Sequence, residues 1–228
     1  MKYAFVFLLL TAACAFYAVT LQTWPLRLIL AWCALAFGGV GLAYAFVGPR
    51  AFLKQSDGKL SWLSYLIYGP YHLLNALSLR GFRRSSREND WDKIAPNVYL
   101  GCRLNAFDKT RVENLHIRSV LDLTSEFSET PTLHELDYRC IPLLDTRAPS
   151  PELLQDGAGW IAERAEVGPV YVHCALGHGR SATFVAAYLM LSHKLSAREA
   201  VEQIKQERPH IGLKAEQFAV LERLENKI

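Results

Sequence analysis

The chain has 228 residues, is 51% hydrophobic, and carries 25 Lys or Arg against 22 Asp or Glu, a formal net charge of +3. That balance hides an asymmetry: Arg50 to Arg87 holds seven Lys or Arg and one acidic residue, Asp57, whereas residues 88–228 hold 16 Lys or Arg against 21 Asp or Glu, a net of −5. The acidic C-terminal part argues against a nucleic-acid partner, the five cysteines form no disulfide framework, and no Cys/His spacing suggests a metal site.

Tyr3 to Leu21 and Leu26 to Val47 are almost wholly apolar. A bilayer core of about 30 Å takes about 20 such residues in a helix, so each run is long enough to span. The short link Gln22-Thr23-Trp24-Pro25 makes the pair a transmembrane hairpin, residues 1–48. A cleaved signal peptide is the competing reading, with Lys2 as its n-region and Ala12-Ala13-Cys14 as its cleavage site; the second apolar run speaks against it. Cys14 and Cys33 lie in these runs as packing residues. Residues 49–90 form a basic juxtamembrane region. Its Leu60–Leu79 stretch mixes Trp62, Tyr65, Tyr68 and Tyr71 with Ser, His and Asn, which suits an interfacial helix bent at Gly69-Pro70; a third span is the alternative. Arg80, Arg83, Arg84 and Arg87 would sit against anionic lipid and put the C-terminal domain in the cytoplasm.

Residues 91–228 suffice for one domain with its own core. Short β-like runs occur at Val98–Leu100, Ser119–Leu123, Tyr138–Leu143 and Val170–His173, and helical patterns near Phe107–Leu115, Pro151–Ala165, Ser181–Leu191, Ala197–Glu207 and Ala215–Asn226. The alternation predicts an α/β fold with a central, mostly parallel sheet flanked by helices. Ser150-Pro151-Glu152 reads as a helix start.

Chemistry concentrates in Val172-His173-Cys174-Ala175-Leu176-Gly177-His178-Gly179-Arg180-Ser181, where five residues separate Cys174 from Arg180. An apolar β-run leads in and a helical run leads out. Strand, Gly-containing loop and helix N-terminus form an anion site, with N–H groups pointing into the loop. Such a field stabilises a thiolate, and the same donors would hold phosphate oxygens. Ala175, Leu176, Gly177, His178 and Gly179 would bind phosphate through the loop, and Arg180 through its planar fork. The bland alternative is a buried structural thiol beside a glycine turn.

This segment resembles the His-Cys-x5-Arg-Ser signature of the cysteine-dependent protein tyrosine phosphatase superfamily, and the resemblance runs from about Trp91 to the C-terminus. Asn97–Gly101 resembles the opening strand of the dual-specificity branch, and Ala197–Val201 with Arg208-Pro209 its C-terminal helices. Val170–Cys174, Arg180–Thr183 and Val185–Leu189 are similar to the phosphatidylglycerophosphate phosphatase-like subgroup. The resemblance implies a dual-specificity phosphatase-like fold, no cofactor and no metal. It implies Cys174 as nucleophile, Asp145 on an upstream loop as the acid, Ser181 easing departure of sulfur, and His173 as a structural residue holding the loop. Asp137, before its strand, would lie at the wrong end. His178 reads as a solvated loop histidine; facing the pocket, it would make affinity vary between about pH 5 and 8. The loop lacks the Lys often found in polyphosphoinositide enzymes, which disfavours highly charged inositol headgroups. Cys140 is a core strand residue or, as in some superfamily members, a disulfide partner for the nucleophile. The expected function is a membrane-anchored phosphatase forming a phosphocysteine, acting on phosphoprotein or lipid phosphate. A catalytically weak phosphate-binding membrane adaptor is the alternative.

Overall fold

The computed structural model describes residues 2–227. The chain divides into two compact units: the first holds the chain up to Gln55 with Lys59–Ser85 and Ser125–Ser128, the second Ser56–Gly58, Ser86–Thr124 and everything from Glu129.

In the first unit, α1 (Lys2–Thr20) and α2 (Trp24–Leu42) are the two apolar runs. Gly41 of α2 faces Leu8 and Gly38 faces Thr11, so the helices run antiparallel. Pro25 lies in the first turn of α2, where its missing N–H has no helical partner to lose. A π-helical turn, Ala43–Val47, extends α2 and stops at Gly48, whose φ is 77°. By length and composition Lys2–Thr20 and Trp24–Val47, of 19 and 24 residues, could each cross a membrane. Helix α3 (Trp62–Ser85) bends as expected: Tyr68 leaves helical geometry at φ −106°, ψ 16°, just before Gly69-Pro70. Phe52, fully buried, stacks on Tyr71 at 5.4 Å, and Trp32 Nε1 donates to the Leu66 carbonyl at 2.7 Å. Two polar residues of α3 turn inward. Buried Ser64 and His72 hydrogen-bond at 3.0 Å, and His72 Nδ1 lies 3.1 Å from the Glu126 carbonyl. Leu66, Leu73, Leu74 and Leu77 face outward, exposed.

The second unit carries a five-stranded sheet: β1 (Trp91–Ala95), β2 (Val98–Gly101), β3 (Ser119–Thr124), β4 (Asp137–Leu143) and β5 (Val170–His173), in the order β1-β2-β5-β3-β4. Only β1 is antiparallel to its neighbour; the rest of the sheet is parallel. The helices of this unit are α4 (Lys109–Asn114), α5 (Pro131–His134), α6 (Pro151–Val167), α7 (Arg180–His193), α8 (Ala197–Glu207) and α9 (Ala215–Glu225). The period-two alternation of β5 explains the layering. Val170 and Val172 join the core packed by α6 to α9, while Tyr171 joins a second cluster with Leu104, Val112 and Leu133 on the opposite face. Helix α7 is buried from Arg180 to Met190, and from Phe184 on that run is continuously apolar rather than amphipathic. Ser196 and Glu199 form a capping box at the start of α8.

The α/β layering is as expected, with two corrections. Strand β1, not the segment beginning at Asn97, opens the sheet; it reaches β2 through a tight turn in which Asn97 takes φ 60°, a left-handed conformation Asn tolerates. The expected helix at Phe107–Leu115 is a 3-10 turn, Ala106–Asp108, followed by the short α4.

Gly157 of α6 lets that helix meet the sheet-covering α7. A Cβ there would lie 2.3 Å from the buried ring of Phe184 and 3.2 Å from Ile141. Gly157→Ala is expected to lower stability by about 1–3 kcal/mol through overpacking, despite the better helix propensity of Ala. A denaturant midpoint equal to or above wild type would contradict that packing.

Candidate active site

The loop after β5 starts at Cys174, at the sheet's carboxyl edge, where open α/β sheets bind ligands. It closes at Arg180, the first residue of α7. Its tightness depends on Gly177, with φ 77°, where a Cβ would lie 2.5 Å from the Gly101 carbonyl oxygen. Four successive loop carbonyls accept donors outside the loop. Ala175 O takes Arg103 N–H at 3.0 Å and His178 O takes Gly212 N–H at 3.0 Å. Leu176 O and Gly177 O take Arg208 Nη2 and Nε at 2.9 and 3.1 Å. With the carbonyls held outward, the N–H groups are left for the inside. Gly177 N–H points at Cys174 Sγ, 3.3 Å away.

Cys174 is buried. Burial pushes its thiol up, but the Arg180 guanidinium and hydrogen bonds from Ser181 outweigh that, and the net shift is downward. Ser181 Oγ donates to Sγ at 3.3 Å. Arg180, only 1% exposed, is held by the carbonyl of Leu143 at 2.9 Å, with that of Leu123 at 3.5 Å. The ends of β3 and β4 therefore aim its fork. Asp145 lies on the loop after β4, its side chain 58% exposed and its Oδ1 3.4 Å from Arg180 Nη2. The structure thus brings together Cys174, Arg180, Asp145 and Ser181. Asp137 sits at the opposite end of β4, paired with Arg164 at 2.5 Å.

His178 corrects the sequence reading. It is not a solvated loop residue, because Nε2 meets Glu88 Oε2 at 2.6 Å and the ring is part-buried. What His178 offers the loop interior is backbone, not imidazole. Cys140 sits within β4, partly buried, opposite Asp122 of β3.

His173 is fully buried, its Nδ1 3.3 Å from the Cys174 carbonyl and its Nε2 2.6 Å from Glu129 Oε2. Asp122, Glu129 and His173 form a group whose ligand atoms lie within 4.8 Å of one another. Within that group His173 Nε2 and Glu129 Oε2 are 2.6 Å apart.

Sequence reasoning missed two residues here. Arg208 appeared only as part of a family-like Arg-Pro pair; its buried guanidinium also bonds the Asn89 carbonyl at 3.0 Å and Asp92 at 2.7 Å. Glu129 carried no signal, being one acidic residue in a polar loop. Arg208→Ala removes the bracket on two loop carbonyls and leaves Asp92 without its ion-pair partner, keeping only the Asn89 amide. The expected loss is about 3–5 kcal/mol of stability, read by denaturant unfolding, together with weaker vanadate binding. Wild-type values of both would contradict the bracket.

The family model of the dual specificity phosphatase catalytic domain matches residues 98–227, more than half of the chain. The rat dual specificity protein phosphatase 5 is 38% identical over 51% of this chain, which spans 30% of that protein. A human phosphatidylglycerophosphatase and protein-tyrosine phosphatase 1 is 32% identical over 65% of this chain and 80% of its own length. The crystal structure of PTPMT1 in complex with PI(5)P superposes with a TM-score of 0.56 at 28% identity, covering 61% of this chain and 96% of that one. The chain belongs to the dual specificity phosphatase catalytic-domain family, cysteine-dependent hydrolases of the protein tyrosine phosphatase superfamily.

Proposed function

We propose that this protein hydrolyses phosphate monoesters of lipids at a membrane surface, through a phosphocysteine intermediate. The observation that carries the chemistry is the buried Cys174 thiol, its Sγ met by the Ser181 hydroxyl and the Gly177 N–H at 3.3 Å each. In the first step Sγ attacks phosphorus as thiolate, and Asp145 protonates the departing alkoxide oxygen. The loop N–H groups and Arg180 hold the phosphoryl oxygens, whose charge is spread in the transition state. In the second step Asp145 takes a proton from water as it attacks phosphorus. The sulfur leaves as thiolate, eased by the Ser181 hydroxyl, and inorganic phosphate is released. His173 holds the loop. Residues 91–228 carry this chemistry.

Lipid is favoured by the apolar hairpin α1–α2, by the basic cluster from Arg80 to Arg87, and by the phosphatidylglycerophosphatase activity for which the human relative is named. Residues 1–48 anchor the protein, and the Arg cluster puts the catalytic part in the cytoplasm against anionic lipid. Helix α3 fits the interface of the bilayer better than a third span. Tyr65 and His72 bond Ser128 at 2.8 Å and the Glu126 carbonyl at 3.1 Å, both in one polar loop. In a span, the middle of α3 would lie about 15 Å deep, where a polar loop has no place. A second reading, a phosphoprotein substrate, draws on relatives such as dual specificity protein phosphatase 5. The phosphate-binding adaptor loses ground because nucleophile, Arg and acid come together.

Cys174→Ser is expected to abolish turnover while keeping vanadate binding; wild-type turnover would remove the assignment. Asp145→Ala is expected to slow poor leaving groups about 10²–10⁴-fold and activated aryl phosphates far less; equal losses would take Asp145 out of the acid role. The deciding assay is phosphate release by the detergent-purified full-length protein from phosphatidylglycerophosphate, other lipid monophosphates and a phosphotyrosine peptide, with Cys174→Ser as blank. Preference for the peptide would overturn the lipid reading, and no Cys174-dependent release would favour the adaptor.

A further inference from the structure

Among the described residues of the second unit, only Phe107 and Val167 are large apolar side chains left exposed, and Phe107 is 94% exposed. Their places differ. Val167 ends α6, ahead of β5. Phe107 lies on the segment after β2, whose last residue, Gly101, is paired in parallel with His173. That segment therefore leaves the sheet at the same edge as the phosphate loop. Its Arg103 N–H bonds the Ala175 carbonyl of the loop at 3.0 Å, and Phe107 is four residues further on.

The ring is held out by a built turn. Asn105 Oδ1 accepts the Phe107 N–H at 2.8 Å, and Asp108 Oδ2 accepts the Asn105 N–H at 2.8 Å. Asp108 is buried, and Arg111 pairs with it at 3.5 Å and with Asp90 at 2.6 Å while lying over the Trp91 ring at 4.5 Å. Leu104 and Val112, on either side, are core residues. The flanks are thus fixed, and one phenyl ring is presented to the outside. A single exposed apolar residue needs no explanation by itself. One braced at the rim of a reactive loop is placed as binding residues are placed. The charge around it also departs from its surroundings. Residues 102–114 hold Arg103, Lys109 and Arg111 against Asp108 and Glu113, inside a part of the chain, 88–228, that nets −5. Lys109, two positions from the ring, has its side chain 64% exposed. An aromatic ring with cations beside it suits the boundary between anionic headgroups and acyl chains. The chain carries its own route to that surface. Lys2–Thr20 and Trp24–Val47 are long enough to cross a bilayer, and the second unit resumes at Ser86, directly after α3. A tethered domain meets the bilayer at high effective concentration, so one modest contact is enough to orient it.

We propose that Phe107 is a membrane-docking residue: its ring enters the headgroup–acyl boundary and holds the mouth of the phosphate loop against the bilayer that presents a lipid phosphate. This rests on the reading of the protein as a membrane-anchored lipid phosphatase. A carboxylate at position 107 would be expelled from that boundary and repelled by anionic lipid, so the site would meet its substrate less often while the chemistry at Cys174 stayed as it is.

The test uses full-length protein reconstituted in vesicles of phosphatidylcholine and phosphatidylglycerol. With p-benzoylphenylalanine in place of Phe107, irradiation is expected to give a lipid adduct on the peptide that carries position 107, and none when the same group replaces Val167. Phe107→Asp is expected to lower phosphate release from phosphatidylglycerophosphate in these vesicles about tenfold, through apparent KM, with Phe107→Leu near wild type and hydrolysis of a soluble aryl phosphate unchanged in both. An adduct at 107 no stronger than at 167 would overturn the proposal, as would equal losses on the lipid and the soluble ester. A loss confined to a phosphotyrosine peptide would make the ring a protein contact and overturn it too. A specific adduct at 107 without release of phosphate from any lipid upholds the docking and removes the lipid-substrate reading instead.

Discussion

Cys174 is buried, and burial by itself favours the protonated thiol. A thiolate survives there only if fixed dipoles and charge replace the lost water. Arg180, Ser181 and the loop N–H groups supply that replacement, and much of the local structure can be read as what holds them in place. The carbonyls closing β3 and β4 fix the Arg180 fork. Arg208, Arg103 and Gly212 turn the loop carbonyls outward. Gly177 allows the turn, at a point where any side chain would meet the backbone of β2. Apart from the Gly177 N–H, which points at Cys174 Sγ, these groups act from outside the loop, and each limits how far its donors can drift.

Such an arrangement concentrates polar and charged groups in an interior that otherwise excludes them. Asp122, Glu129, His173, Arg180 and Arg208 are all buried. Each survives because its partners are specific and close, as buried charges require. The same property makes the region intolerant: removing one member leaves another with its desolvation unmet, which costs more than the lost bond.

The first unit follows the opposite rule. Its helices expose Leu, Phe and Trp and fold Ser64 and His72 inward. In water that would be an aggregation hazard. Against lipid it is the ordinary solution, because outward apolar surface meets hydrocarbon while polar groups satisfy one another inside.

Much of the catalytic site was legible in the sequence because its parts are local. Cys174, Arg180 and Ser181 lie within one strand-loop-helix segment, and chain spacing alone sets their neighbourhood. The two apolar runs and the bend at Gly69-Pro70 were legible for the same reason: hydropathy and proline stereochemistry act over a few residues. Asp145 was named through the family resemblance, which expects an acid on the loop after the strand that precedes it. What only the tertiary structure decided is long-range. Glu129 is 44 positions from His173, and Arg208 is 31 from Gly177 and 116 from Asp92, so neither partnership leaves a periodic trace. His178 looked solvated because nothing local to it is acidic; its partner Glu88 comes from 90 residues earlier. Strand β1 was invisible because edge strands need little apolar alternation, its pattern being set by pairing with β2. Periodicity and spacing therefore determined the elements and the reactive segment, while the sheet's strand order decided which distant charges would meet behind the nucleophile.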